Sequence, residues 1–398
     1  MSATLVTGAS GYLGSLVAAA LLAQTDRSLL LPVRAVHEPG AVRERIRLAL
    51  GELGVPAADA EGRLARVQLV ELPPIERVGE LEAAARAAGV DEIAHCAGCV
   101  DYFDLRNLLL VNVGLTAGVL ALARQLGVRR FTYLSTAYCA GYRTDVLPEA
   151  LHPDPPADAE PTEYTRTKRE AERLVAASGI PYVILRPSIV IGDSRTGHYA
   201  GKNYGLYQMW RAIDGLLTRE YVPIWYTVGP PSPLNFVHED AFQAAFMAAH
   251  QGAEDNSIIH VVSERDTCPT MRDLCWLWAD VYRPREVHCY QRVDDVPLRS
   301  IPSRQRRFLE LGHKNLEISA WPWRFDRGGL DRLRARGLQF AEATLESVAR
   351  CQDRYVAESP RIQAYLAAHA AHTGERSVLR EMEPATSPPE ADRAPSTR

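Results

Sequence analysis

The sequence predicts an α/β protein: a Rossmann-type, doubly wound parallel sheet with a smaller C-terminal cap region. Three observations predict it. Short β-branched runs alternate with helical patterns up to about residue 190, the arrangement that makes parallel strands with right-handed crossovers. A glycine-rich turn, Thr7-Gly8-Ala9-Ser10-Gly11-Tyr12-Leu13-Gly14, joins the first of those strands to the first helix. At 398 residues the chain can bury a full sheet and an attached smaller region.

Taken in chain order, Thr4–Thr7, Leu29–Val33, Val67–Glu71, Glu92–His95, Arg130–Leu134 and Tyr182–Arg186 read as strands. Between them, apolar spacing predicts helices such as Ala41–Gly51, Leu105–Leu126 and Thr162–Ala177. Pro148–Pro161, rich in proline and acid, is a loop. After residue 190 the pattern changes. Gly192–Gly205 is polar and glycine-rich and is expected to form a mobile flap beside the active site. Helices are expected at Leu206–Leu217, Asp240–His250 and Thr270–Val281, with short strands near Leu234–Val237, Ile258–Val262 and Val287–Tyr290.

The core is therefore expected over 1–190, with sheet and helix returns around 234–262, and a substrate-binding cap over 191–372. That second region has too few strands to close a core of its own. It is expected to cover the carboxyl ends of the sheet strands, where such sheets bind ligands. Further helices are expected within 331–372, and 373–398, rich in Pro, Glu and Ser, reads as a disordered tail.

Composition bounds the partners. With 46% hydrophobic and 24% charged residues and a net charge of -4, nothing points to nucleic acid. The longest apolar run, Leu16–Ala23, is too short to span a bilayer and follows the glycine turn directly. It reads as the first helix and not as a signal peptide. The turn begins at residue 7, which leaves no room for a targeting segment, so no stable membrane insertion is expected. Seven cysteines, an odd number, suit free thiols in a reducing, cytoplasmic setting. Cys96-Ala97-Gly98-Cys99 is a CxxC, but no second CxxC or His pair accompanies it, so no metal is expected.

The spacing of the glycine turn is G-x-x-G-x-x-G. Gly8 supplies the tight turn, Gly11 a close backbone approach and Gly14 the contact between helix and strand. A pyrophosphate then sits at the helix N-terminus, beside Ser10, Tyr12 and Leu13. At the end of the second strand an acid would bond ribose hydroxyls, whereas a cation would accept a 2′-phosphate. Pro32-Val33-Arg34-Ala35 has no acid until Glu38, and Arg34 can pair bidentately with a phosphate. A further cation follows at Arg43 or Arg45. NADPH is favoured, and with it the reductive direction. Glu71 and Leu72 are expected to border the adenine, and Ala97 to let the adenosine half pass close to the backbone. Pro187, Ser188 and Ile189 are expected to frame the nicotinamide amide.

Downstream, Tyr164-Thr165-Arg166-Thr167-Lys168 sets a phenol and an ammonium one helical turn apart on one face. Hydride reduction of a carbonyl needs an acid on the oxygen that becomes negative. Lys168 and an oxidised nicotinamide are expected to lower the phenol from its usual pKa of about 10. Lys168 can also bond the nicotinamide ribose. Thr136, within Leu134-Ser135-Thr136-Ala137, supplies a second hydroxyl, with Ser135 its neighbour. Asn112 is open between two readings: orienting Lys168 through water, or a helix-interior polar contact.

These residues resemble the extended short-chain dehydrogenase/reductases, and within them the thioester-reductase and fatty acyl-CoA reductase branch. The resemblance covers roughly residues 3–260. It is carried by TGASGYLG, Pro-Val-Arg-Ala with the Arg43–Leu48 helix, HCAG, STAY with the Tyr164/Lys168 pair, and the run from Arg186-Pro187-Ser188-Ile189 to Asp193-Ser194-Arg195-Thr196-Gly197. It implies NADPH-dependent reduction of an acyl thioester, on coenzyme A or on an acyl or peptidyl carrier protein, to an aldehyde or further to an alcohol. Tyr164, Lys168 and Thr136 would hold the thioester carbonyl. Glu71-Leu72 stands where the branch usually shows Asp-Leu, and Cys99 is unusual after HCAG. No adenylation or carrier domain precedes the reductase, so the acyl group is expected to arrive activated. Substrate choice is expected beyond residue 260, where the resemblance is weak.

Two further stretches stay open between readings. Arg299, Arg304, Arg306, Arg307 and Lys314 form either a docking face for an acidic carrier protein or coenzyme A phosphates, or a solvated helix face. Tyr204, Tyr207, Trp210, Trp225 and Tyr226 line either an apolar acyl channel or a core. Competing activities are a ketone or hydroxysteroid reductase on the same residues, a sugar-nucleotide epimerase, which Arg34 disfavours, and a cofactor-sensing regulator, which the Tyr/Lys pair disfavours.

Overall fold

Strands read as unbroken apolar runs where a parallel sheet is covered on both faces. Every residue of β1 (Ala3–Thr7) is buried, as are all but the first of β2 (Ser28–Val33). In the computed structural model, which describes residues 2–35, 38–201 and 204–369, these are joined by β3 (Val67–Glu71), β4 (Val90–His95), β5 (Arg130–Leu134) and β6 (Tyr182–Pro187). Then come β7 (Ile189–Ile191), β8 (Ile224–Val228), β9 (Phe236–His238), β10 (Ser257–Val261) and β11 (Glu286–Tyr290). The expected tail at 373–398 lies outside the described residues.

The main sheet has seven parallel strands in the order β10-β6-β5-β4-β1-β2-β3. Strand order reverses between β1 and β4, and a crevice opens at such a switch point. Register is set there by Leu5, which lies opposite Leu30 on one side and Ile93 on the other. Helices cover both faces. One core cluster joins α1 (Tyr12–Gln24), α2 (Pro39–Glu52) and α3 (Ala57–Leu64) to the sheet. The opposite cluster holds α4 (Glu82–Ala88) and a long helical run. That run comprises α5 (Leu105–Asn107), a π-helical stretch Leu108–Leu115 and α6 (Thr116–Leu126), and it is followed by α7 (Glu163–Ala176).

Leu105–Leu126 is long and apolar enough, by length and composition, to cross a membrane, a property the sequence reading assigned to no segment. Its second half is core: Val119, Leu120, Leu122 and Ala123 pack against the sheet.

The chain forms two compact units. The first contains 1–205, 235–268 and 323–352, including α9 (Glu239–Gly252), α12 (Gly328–Ala335) and the start of α13 (Leu345–Glu358). Residues 323–352, read from sequence as cap, therefore lie with the Rossmann sheet. Leu147 bonds the backbone of Arg324 and Asp326 (2.8 and 2.9 Å), which draws this segment in. The second unit contains, of the described residues, 206–234, 269–322 and 353–369, built from α8 (Leu206–Leu217), α10 (Met271–Tyr282), α11 (Ser303–Ala320), α14 (Pro360–Ala368) and the parallel pair β8–β11. Contrary to the strand-count argument, it closes a core of its own. Trp210, Trp225 and Trp278 are buried in it, with Trp210 edge-on to Trp278 at 5.9 Å. Helices supply what the short sheet lacks.

Candidate active site

The glycine turn has the geometry that its spacing predicts. Gly8 adopts a positive φ of 73°, and a Cβ there would stand 2.7 Å from the Ala97 nitrogen. A Cβ on Gly14 would stand 2.2 Å from the Gly8 carbonyl oxygen. Only hydrogen fits at either position. Gly11 caps α1 without a side chain, and its N–H donates to Gly8 O at 2.8 Å. The first N–H groups of α1, which no side chain caps, suit an anion. Ser10, Tyr12 and Leu13 are partly exposed around this turn. Thr7 Oγ1 accepts from Ala97 N at 3.2 Å and meets His95 Nδ1 at 2.7 Å, tying the β1 turn to the β4 turn. Burial pushes His95 down to about 3, so it is neutral.

At the second-strand end, Arg34 is exposed directly after β2. Structure separates the two candidate cations on α2. Arg43 donates to Leu64 O and Val67 O, both at 2.9 Å, and so anchors the α3–β3 segment. Arg45 instead reaches the Ser10 carbonyl, on the glycine turn itself. Glu71 ends β3 opposite Val33, and Leu72 N donates to Val33 O at 2.7 Å, which holds the pair beside the end of β2. On the far side of the crevice, Ser188 follows β6, and its buried hydroxyl has no partner among the described residues; the same is true of Ser135 after β5. Pro187 ends β6 and Ile189 begins β7. A glycine cradle that admits no Cβ and two orphaned hydroxyls across the crevice fit a nicotinamide dinucleotide.

The phenol is set in place by a helix cap. Thr162 and Thr165 form a reciprocal box, with Thr165 N donating to Thr162 Oγ1 at 3.2 Å and Thr162 N donating to Thr165 Oγ1 at 3.1 Å. That starts α7 at Glu163 and puts Tyr164 in its first turn. The Thr136 hydroxyl lies near the Tyr164 phenol and favours its ionised form. Lys168, one turn on, is buried, and its Nζ donates to Leu134 O at 2.5 Å and lies 4.4 Å from the centre of the Tyr133 ring. Thr136, Tyr164 and Lys168 are thus brought together at the carboxyl end of β5.

Their proton affinities differ from the expectation. Burial, with Tyr102 adding to it, pushes Tyr164 above the ordinary phenol value, and the nearby Thr136 hydroxyl only partly offsets this. Burial lowers Lys168 to about 8, with the Glu172 carboxylate opposing that fall. A phenol held protonated at neutral pH suits the giving of a proton. Asn112 also differs from the water-bridge reading. Its side chain accepts from Cys99 N at 2.8 Å and donates to Cys99 O at 3.1 Å and to Thr167 Oγ1 at 3.0 Å. It clamps the loop after β4 to the helix bearing Lys168. Cys96 and Cys99 are free thiols, and burial pushes Cys96 up to about 12.

Behind these groups lies a network that sequence reasoning missed. Arg186 on β6 and Glu172 on α7 are both fully buried, with Nε at 2.9 Å and Nη2 at 2.7 Å from the two carboxylate oxygens. Arg186 also donates to Ala150 O at 2.8 Å and meets His152 Nε2 at 2.9 Å. Glu172 lies one helical turn beyond Lys168 on the same face, and that Tyr-Lys-Glu spacing was the available signal.

The expected flap is tied down where it is described. Asp193 Oδ1 accepts from Arg195 N and Thr196 N, both at 2.9 Å, and Ser194 bonds Asp240 through N and Oγ at 3.0 and 2.6 Å. Residues 202–203 of that stretch lie outside the described residues. Tyr199 lies edge-on to Tyr12 at 4.9 Å, and the buried Glu239 carboxyl accepts from Ala200 N at 2.9 Å. Tyr207, Trp210 and Trp225 are core of the second unit. Of the Arg299–Lys314 cations, Arg304 pairs with Glu220 at 2.8 Å and Lys314 with Glu317 at 2.9 Å, as on a solvated helix face.

A family model described as male sterility protein, of NAD-binding type, matches residues 6–228. A linear gramicidin synthase of Brevibacillus parabrevis is 30% identical over 224 residues, 54% of this chain. The chain spans about 4% of that relative's length. Among solved structures, the terminal R domain from the myxalamid PKS-NRPS biosynthetic pathway aligns with a TM-score of 0.69 at 20% identity, covering 89% of this chain and 90% of that one. A thiolation-reductase di-domain from an archaeal non-ribosomal peptide synthetase gives 0.64 at 17% identity, covering 93% and 76%. UDP-glucose 4-epimerase from Thermotoga maritima gives 0.61 at 17% identity, covering 90% and 99%. At such identities the structural likeness is one of fold.

Proposed function

The chain belongs to the male sterility protein family of NAD-binding proteins, in the thioester-reductase branch of the extended short-chain dehydrogenase/reductases, and from that membership we propose that it reduces an acyl thioester with NADPH. The thioester is carried on coenzyme A or on an acyl or peptidyl carrier protein, and the product released is an aldehyde. The thiolation-reductase di-domain and the terminal R domain among the similar structures favour this over an epimerase. So do Arg34 and Arg45, cations suited to a 2′-phosphate, since epimerases of this fold retain NAD.

The observation that carries the reading is Tyr164 and Lys168 one turn apart on α7, with Lys168 Nζ bonded to Leu134 O just before Ser135 and Thr136. A bound reduced nicotinamide supplies the hydride. Thr136 and Tyr164 hold the thioester oxygen, and a phenol above its ordinary pKa keeps its proton until negative charge develops on that oxygen. Lys168 holds a positive charge next to them below about pH 8. Proton transfer from Tyr164 Oη gives a hemithioacetal, whose collapse expels the thiol. Ser188 and Ser135 orient the ring amide, and the Gly8–Gly14 cradle holds the pyrophosphate.

The test is NADPH oxidation, followed by absorbance, with acyl-CoAs, acyl-carrier proteins and simple ketones in parallel. Thioesters should be turned over, and Tyr164→Phe should abolish turnover while NADPH affinity stays nearly intact. Turnover of ketones but never of thioesters would overturn the assignment.

A further inference from the structure

We infer that the loop and helix start after β4, residues 99–110, form a binding surface for the hydrocarbon chain of an apolar acyl group whose carbonyl sits at Tyr164. The inference rests on the thioester reading and adds where the acyl chain lies and what its chemistry is.

A soluble surface seldom leaves large apolar side chains exposed side by side without a ligand for them. Here Val100, Leu105, Leu109 and Leu110 are exposed, and Phe103 is 92% exposed. They flank Tyr102 in sequence. Tyr102, in the middle of the segment, lies ring to ring with Tyr164 at 5.9 Å between centres. Tyr102 thus links this segment to the phenol within the first unit.

The polar groups of the segment are spent on holding its shape. Asp101 Oδ1 accepts from Phe103 N at 3.0 Å, Asp104 Oδ1 accepts from Asn107 N at 3.1 Å, and Asn112 clamps Cys99 on both its N–H and its carbonyl. The π-helical stretch Leu108–Leu115 turns Leu108, Asn112 and Leu115 inward and leaves Leu109 and Leu110 outward. Such insertions recur at functional sites. The surface is therefore preformed, and its exposed apolar side chains outnumber its exposed charges, Asp101 and Arg106. A linear hydrocarbon attached to a carbonyl at Tyr164 has both the chemistry and the starting point to cover it. Of the aromatics that the sequence offered for this role, Tyr207, Trp210 and Trp225 are buried core instead.

The experiment measures kcat/KM for saturated acyl-CoAs of increasing length with wild type, a Phe103→Ser/Leu105→Ser double variant and Leu345→Ser, an exposed apolar change on α13. Kd is measured in parallel for the matching non-reducible thioether analogues. Wild type and Leu345→Ser should gain with each methylene, approaching the about fourfold that full burial of one methylene gives. The double variant should lose most of that gain in both measurements. A common slope in all three proteins, or no length dependence in wild type, overturns the inference. So does a double variant that changes only the sedimentation of the protein or its binding to lipid vesicles, because a second copy or a membrane then covers the patch. Length-dependent thioether binding that the double variant loses, with no thioester turned over, would sustain the surface while refuting the thioester-reduction reading.

Discussion

Glu172→Gln is the most informative single change, because it removes one charge from a pair that no water reaches. Glu172 and Arg186 have no exposed side-chain surface, and both carboxylate oxygens accept from the guanidinium. The other groups around Arg186 cannot replace the lost charge. His152 and His260 are held neutral, lowered by burial and by Arg186 to about 3 and about 4. Burial raises Glu149 to about 7, so it is a weak counter-charge. Glutamine therefore leaves a buried guanidinium without its carboxylate, a loss of about 3–5 kcal/mol. That is a large share of a typical stability of about 5–15 kcal/mol.

The same change reaches the active site. Glu172 opposes the effect of burial on Lys168, so its removal lets Lys168 fall below about 8. The sign is definite: turnover needs the ammonium, activity fades as pH rises through the Lys168 pKa, and the variant should fade earlier. Urea unfolding followed by tryptophan fluorescence reads the first effect, and kcat/KM against pH reads the second. The double variant Glu172→Gln/Arg186→Met should lose less than the two single losses summed, since the pair is one unit. A single loss under about 1 kcal/mol, which is the worth of an exposed pair, or an alkaline limb moving upward, would refute the argument.

Three further outcomes are expected. Gly14→Ala puts a Cβ 2.2 Å from Gly8 O, so dinucleotide affinity, measured by fluorescence titration, should fall at least about tenfold, the equivalent of about 1.4 kcal/mol; unchanged affinity would mean the turn yields without cost. Arg34→Ala/Arg45→Ala should lower the preference for NADPH over NADH by about tenfold or more, since a hydrogen bond to a charged group contributes about 1.5–3 kcal/mol; the ratio of the two kcat/KM values checks it. Glu239, raised by burial from 4.5 to about 8, holds a proton in the folded state that the unfolded chain releases. Its contribution is full below pH 4.5 and is lost as pH rises through about 8, so urea midpoints of Glu239→Gln should fall less across that window than those of wild type; equal slopes would contradict it.

Some of this molecule was written locally, and local features are what a sequence displays. Runs buried on both faces mark β1, β5 and β6 to within a residue or so, because the burial that makes them strands also makes them continuously apolar. The glycine spacing marks the turn, since Gly8 and Gly14 sit where no Cβ fits. Helix periodicity and the Thr162 cap put Tyr164 and Lys168 on one face. Neither α3 nor β8 was legible, as both are short and have no periodicity to show.

Tertiary structure alone decided the rest, because each case turns on partners far apart in the chain. Arg43 and Arg45 are two residues apart, yet one holds carbonyls at 64 and 67 and the other the carbonyl at Ser10. The Arg186–Glu172 pair needs β6 beside α7, the return of 323–352 needs Leu147 paired with its backbone, and Trp210, Trp225 and Trp278 become a core only once three separate segments meet. Periodicity records which face of an element is apolar, not which distant residue will cover it. Long-range pairing settles that, and with it which charges are buried, which apolar side chains remain outside, and which hydroxyls are left to receive a ligand.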